Sequence, residues 1–156
     1  MAHILNCILV VFIFGTSMVN GQDPVVPGPV VPAPVAGAGV TATLPSGSNS
    51  YAKDAVILYS RILCPDNNYN AGKYKATVAG NYLVSVTMMS GTVAAHTTLR
   101  KNGAIYVWLY TGNRYDMATQ TVCMQLAVDD EIWVQMTNAA SILFDVYNTF
   151  TVVKLP

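Results

Sequence analysis

The residues able to do chemistry in this chain are few. Beyond His3 there is one histidine, His96, set between Ala95 and Thr97. The nearest approach to a nucleophile–base pair is Cys64 with His96. A loop thiol and a solitary histidine are the pattern of structural residues rather than of a catalytic dyad. No G-x-S-x-G, H-E-x-x-H or glycine-rich phosphate loop occurs. The acidic cluster Asp129-Asp130-Glu131 could offer oxygens to calcium or simply solvate a turn. Cys64, Cys123 and His96, the cysteines and histidine that remain once Cys7 and His3 are set aside with the first 21 residues, do not make a zinc site. Apart from that calcium, no metal and no other cofactor is expected, and the chain reads as a binder rather than an enzyme.

The stretch that could recognise a ligand is Tyr106 to Asp116, YVWLYTGNRYD. In a strand, Tyr106, Trp108 and Tyr110 share one face. The following turn presents Asn113, Arg114, Tyr115 and Asp116. Rings beside planar hydrogen-bonding groups can hold sugars or protein epitopes. The expected ligand-binding set is therefore Tyr110, Asn113, Arg114, Tyr115 and Asp116. The competing reading packs the rings at a subunit interface or under a loop.

The elements that must position these residues read as strands. Segments rich in Val, Ile, Tyr and Thr alternate with Gly, Asn, Asp and Ser clusters. Strands are expected at Val40–Leu44, Ala55–Leu63, Asn81–Met89, Thr97–Lys101, Ala104–Tyr110, Thr121–Val128, Glu131–Thr137 and Asn148–Leu155. Asn102-Gly103 is a hairpin signal. Tyr82, Val84, Val86 and Met88 form one face of their strand, and Val122, Met124, Leu126 and Val128 one face of theirs. No apolar stripe of helical period appears in this part of the chain. Such spacing specifies an all-β sandwich or jelly roll. Gly72 and Gly80 flank a short strand where a positive φ or close backbone approach is useful. Tyr74, Tyr82, Trp133 and Phe150 are expected to fill the core.

Ahead of the strands lie two other segments. Residues 4–14 read ILNCILVVFIF, and small and polar residues follow, with no charged side chain before Asp23. This is the anatomy of an export signal, with Val19 and Gly21 at the −3 and −1 positions, so residues 1–21 are expected to be removed. The run is too short to span a bilayer, which takes about 20 apolar residues. Residues 22–39 contain PVVP twice and read as a stiff proline-rich spacer, or as a ligand for a proline-reading module. The chain is thus expected outside the cell, free of a membrane span. There Cys64 and Cys123 could bridge each other, stay as buried thiols, or bridge to another subunit.

Composition narrows the partners. Lys plus Arg and Asp plus Glu number 8 each, and charged residues are 10% of the chain against 53% hydrophobic. Charged residues usually make up about 25%. The basic footprint of a nucleic-acid binder is missing. A surface near zero charge associates readily, which points to an oligomer or a matrix component. No N-glycosylation sequon follows the export signal.

Tyr69-Asn70-Ala71-Gly72-Lys73-Tyr74 through Gly80-Asn81-Tyr82-Leu83-Val84-Ser85 resembles the signature of the C1q domain, with Tyr69, Gly72, Tyr74, Gly80, Tyr82 and Ser85 in register. Leu99-Arg100-Lys101-Asn102-Gly103 is similar to the family's Leu-x-Lys-Asn-Gly hairpin. Leu126 to Trp133, with Asp130 and Trp133, resembles its Leu-x-x-Gly-Asp-x-Val-Trp. Thr149-Phe150-Thr151 with Leu155 resembles its closing strand. Thr77, Val84, Asp129 and Val152 depart from the family's Pro, Phe, Gly and Gly. The resemblance covers Val40 to Pro156. It implies a ten-stranded jelly roll shared with the tumour necrosis factor family, assembled as a homotrimer. It also implies a secreted recognition head without a collagen stem. Such heads act as lectins or immune pattern receptors for carbohydrate or microbial surfaces. The alternative is a structural extracellular-matrix protein, such as one of a calcified shell, for which the low charge and the PVVP spacer speak.

Overall fold

The computed structural model describes residues 39–137 and 141–156. The expected export signal and residues 22–38 of the spacer lie outside the described residues. Gly39, the last spacer residue by sequence, already belongs to the first strand. Every regular element described is a β-strand. In chain order they are β1 (Gly39–Thr43), β2 (Ser48–Tyr51), β3 (Arg61–Cys64), β4 (Tyr69–Asn70), β5 (Lys73–Lys75) and β6 (Gly80–Met89). Then follow β7 (Ala95–Lys101), β8 (Ala104–Thr111), β9 (Met117–Leu126), β10 (Glu131–Met136), β11 (Ser141–Phe144) and β12 (Thr149–Lys154).

Two five-stranded antiparallel sheets hold ten of these strands, in the orders β3-β1-β12-β6-β9 and β4-β5-β10-β7-β8. The ten expected strands of a jelly roll are these. A two-stranded ribbon of β2 and β11 is additional. The core lies between the sheets. Tyr82, Val84, Val86 and Met88 of β6 are at most 1% exposed, so the alternation read from sequence is the alternation of burial. Phe150 stacks on Tyr59 with ring centroids 5.8 Å apart and meets Tyr69 at 6.0 Å. Tyr74 meets Tyr82 edge-on at 6.0 Å. Burial pushes the Tyr69 and Tyr74 hydroxyls up to about 12.

Four expectations need correction. Ala55–Leu63 is not a strand: Val56 makes one bridge to Gln135, and pairing begins at Arg61. Ile57 and Tyr59 are nevertheless buried while Leu58 is exposed, so the segment is extended and plugs the core without joining a ladder. Val128 is exposed, because β9 ends at Leu126 and the chain turns through Asp129-Asp130. Trp133 is not a core ring. On β10, Ile132, Val134 and Met136 point inward, and Trp133 takes the outer face with the Lys73 ammonium 4.3 Å from its ring centroid.

The fourth correction concerns the thiols. Cys64 and Cys123 are both free and exposed. They stand on β3 and β9, the two edge strands of one sheet. Four strand spacings of about 4.8 Å put them roughly 19 Å apart, where a disulfide tolerates about 7 Å between Cα atoms. They cannot bridge within one chain.

The signature residues have structural tasks. Asn102 (φ 50°) and Gly103 (φ 89°) form the left-handed pair that a tight hairpin between β7 and β8 requires. The Asn102 side chain donates to Asp130 Oδ1 at 2.7 Å and accepts from the Glu131 N–H at 2.8 Å. Asp130 Oδ2 accepts from the Ala127 N–H at 2.8 Å and pairs with Lys101 at 2.9 Å. The tip of the β7–β8 hairpin is thereby tied to the turn that leads from β9 to β10. Gly72 has φ 84°, and a Cβ there would stand 2.8 Å from the Ile57 carbonyl oxygen. Gly80 begins β6 opposite Leu126.

Candidate ligand-binding surface

The rings of β8 lie on the outer face of the second sheet. Trp108 is 47% and Tyr110 64% exposed, while Leu109 between them is buried. In the β7–β8 ladder His96 stands opposite Tyr110 and Thr98 opposite Trp108. The His96 ring is 4.9 Å from that of Trp108 and 5.6 Å from that of Tyr110. Thr98 is fully covered, and its hydroxyl accepts from Arg100 Nε at 3.2 Å. Across β10 the same face continues with Gln135 opposite Thr98 and Trp133 opposite Arg100. Trp133 Nε1 donates to Gln135 Oε1 at 3.1 Å. The result is a shelf of rings edged by imidazole, guanidinium and amide groups.

Tyr106 departs from this pattern. The ladder shifts between Leu99 and Arg100, so that Arg100 faces Ile105 and Leu99 faces Val107. Tyr106 is the extra residue of the bulge. A bulge re-aims its side chain, and the Tyr106 hydroxyl donates to the Cys123 carbonyl at 3.2 Å. It pins the free edge of one sheet to the free edge of the other.

The turn after β8 is mostly occupied with holding itself. The Asn113 backbone and side-chain amides both donate to Asp116 Oδ2, at 3.1 and 2.9 Å. The Asn113 carbonyl accepts from the Ser90 hydroxyl at 2.8 Å. Tyr115 is left-handed (φ 58°), and its ring packs edge-on to Phe144 at 5.2 Å. Arg114 is exposed at the tip. Of the five residues expected to bind a ligand, Tyr110 sits on the shelf and Arg114 projects from the turn. Asn113, Tyr115 and Asp116 already have partners inside the chain.

Thr98, Arg100 and Gln135 are shelf residues that sequence reasoning did not assign to a ligand site, and His96 enters it only as a partner for Cys64. The Asn102-Gly103 turn was the available signal, since it sets β7 against β8. Counting back from it without a bulge places Trp108 opposite Thr97, on the wrong face. Only the bulge at Tyr106 brings Trp108 over Thr98.

The acidic cluster does not stand open. Asp129 pairs with Lys75 at 2.9 Å, Asp130 with Lys101 at 2.9 Å and Glu131 with Lys73 at 3.1 Å. Among the described residues no group of three or more His, Cys, Asp or Glu could hold a metal ion. His96 and Cys64, the weighed dyad, belong to different sheets.

The first sheet presents a different outer face. On β1, β12, β6 and β9 the only charged residue is Lys154, opposite the core residue Tyr82 at the end of β12. Two rows of hydroxyls cross these strands in register: Thr41, Thr151, Ser85, Thr121, and Thr43, Thr149, Thr87, Thr119. Several satisfy one another: Thr41 with Thr151 at 3.2 Å, Ser85 with Thr121 at 2.9 Å and Thr87 with Thr119 at 3.1 Å. Leu83, Val153 and Met117 border them and are 41%, 41% and 56% exposed.

Two such sheets in these strand orders, closed over an aromatic core, define a jelly roll. The sequence matches the C1q domain over residues 40–152. The chain belongs to the C1q domain family. It is similar in fold to the globular domain of zebrafish complement 1qA, with a TM-score of 0.64 and 9% identity over 77% of this chain and 98% of that one. It is also similar to the Eiger TNF of S. frugiperda, with a TM-score of 0.62 and 14% identity over 77% and 93%. Murine APRIL gives 0.61 and 15% over 76% and 99%. No curated protein matches the sequence.

Proposed function

We propose that this chain is a secreted C1q-type recognition head that binds carbohydrate or protein epitopes through the shelf on its second sheet. Three copies join through the outer face of the first sheet, where the exposed Arg61 of β3, opposite Thr43, is that face's one charged side chain among the described strands. The carrying observation is the exposure of Trp108 and Tyr110 in one row beside His96, Thr98 and Arg100. Exposed rings of this size cost solvation without contributing to the core, and they offer a flat apolar surface to the C–H face of a sugar. Arg100 and Gln135 supply planar donors and acceptors at the rim. A single site of this kind is weak, and three on one rigid particle gain affinity by effective concentration. The self-paired hydroxyls of the first sheet support burial against another copy, because those groups then lose few water-borne partners, and the one cation of the face, Arg61, stands at its β3 edge.

The test is binding of the purified protein to a glycan array and to microbial cells. Trp108→Ala and Tyr110→Ala are expected to weaken binding at least about tenfold, the effect of a ring at the centre of an interface. Arg114→Ala, on the turn, is the comparison. Full binding by both ring variants, or none by the native trimer to any glycan, cell or protein surface, overturns the reading. The same exposed, charge-poor first sheet also favours the second reading, a structural component of an extracellular matrix. Recovery of the protein from an insoluble matrix rather than body fluid would favour it.

A further inference from the structure

The two thiols among the described residues are placed where neither can serve the other. Cys123 stands opposite Leu83, Leu83 opposite Val153, and Val153 opposite Gly39. The Cys64 Sγ lies 3.8 Å from the Gly39 carbonyl oxygen. The row from Cys123 through the exposed Leu83 and Val153 thus crosses the first sheet to Gly39, and Cys64, in register with Thr41 of the next row, stands at the opposite edge of the same face. Both thiols are exposed, so neither needs local unfolding to react.

We propose that Cys64 of one copy is joined to Cys123 of the next, so that three disulfides close the trimer into a covalent ring. The inference rests on the threefold reading above. A ring is built from a heterologous contact, in which one patch of each copy meets a different patch of its neighbour. Thiols on opposite edges of the same face supply two different patches, and the Leu83–Val153 row gives an apolar seam between them. Pairing like with like would join two copies and leave a threefold assembly with an odd thiol. Each bond forms from two thiols with loss of two protons and two electrons. The electrons pass by thiol–disulfide exchange to a disulfide oxidant of the export route, which leaves as a dithiol.

The experiment uses the full chain secreted from cultured eukaryotic cells, with thiols trapped by alkylation at harvest. Samples are compared on denaturing gels with and without reductant, and by light scattering in native buffer. The expected result is a trimer-sized band that collapses to monomer on reduction. Cys64→Ser and Cys123→Ser are each expected to abolish every covalent band while the native particle stays trimeric. Co-expression of the two variants is expected to restore a covalent dimer, which only a Cys64–Cys123 bond between copies can form. A native trimer running wholly as monomer without reductant overturns this inference and leaves the threefold reading standing. A covalent dimer surviving in either single variant also overturns it, since the bond would then be like-to-like. A native monomer overturns both.

Discussion

Asp130 carries the clearest electrostatic signature among the side chains. The Lys101 ammonium, then the Asn102 amide, then the Ala127 N–H hold its carboxyl at about 2, below the ordinary 3.8. A depressed carboxyl stabilises the fold above the unfolded value, and that contribution is lost as pH falls through the folded one. Thermal unfolding is therefore expected to lose stability between about pH 4 and pH 2. Asp130→Asn is expected to flatten that slope, and an unchanged pH profile would contradict the assignment. Trp133 shows the limit of reading rings from sequence. A tryptophan in a strand looks like core, but its parity relative to Ile132 and Val134 decides, and parity puts it beneath Lys73 instead. Asp129 explains a departure from the family pattern: its φ is 71°, a conformation in which glycine is the easy choice and Asp a tolerated one.

Among the elements, those that could be read early share a long alternation or a tight turn. β6 runs ten residues with one buried face, and Asn102-Gly103 locates β7 and β8. The polar β2, SNSY, and the short β4 and β5 gave no such signal, because two to four residues cannot display a period. β9 begins at Met117, four residues before its expected start, since Thr119 and Thr121 alternate on a hydroxyl face that hydrophobicity does not mark. Ala55–Leu63 failed in the opposite way. Its burial alternates, but alternation reports an extended backbone and says nothing about a neighbouring strand. Gly72 carries the element-scale test. Gly72→Ala forces a side chain into φ 84° and against the Ile57 carbonyl. A loss of about 1–3 kcal/mol or more is expected in chemical denaturation. A neutral result would mean that the β4–β5 turn is not held as described.

For the whole molecule, the charge census counts few charges, but only the register shows that the outer face of the first sheet carries Arg61 as its one charge among the described strands, at its β3 edge. Leu83→Arg or Thr121→Lys adds a cation to the outer side of the first sheet, where neither residue is part of the core. Each is expected to leave the monomer's stability within about 0.5 kcal/mol. On the proposed threefold assembly, each is expected to shift the particle from three copies to one in light scattering, because a buried unpaired charge is strongly unfavourable. Persistence of the trimer in both variants would move the interface elsewhere.

The hydroxyl rows have a thermodynamic consequence. Where polar groups across a sheet already bond to each other, drying that sheet exchanges few hydrogen bonds with water. What remains to drive the contact is aliphatic surface, which brings a negative heat-capacity change and a force that fades on cooling. With Arg61 the one charge of the described strands on that face, and at its edge, ionic strength has little to act on. Once its disulfides are reduced, the assembly is expected to withstand molar salt and to loosen in the cold, as sedimentation at the two extremes of each variable would reveal.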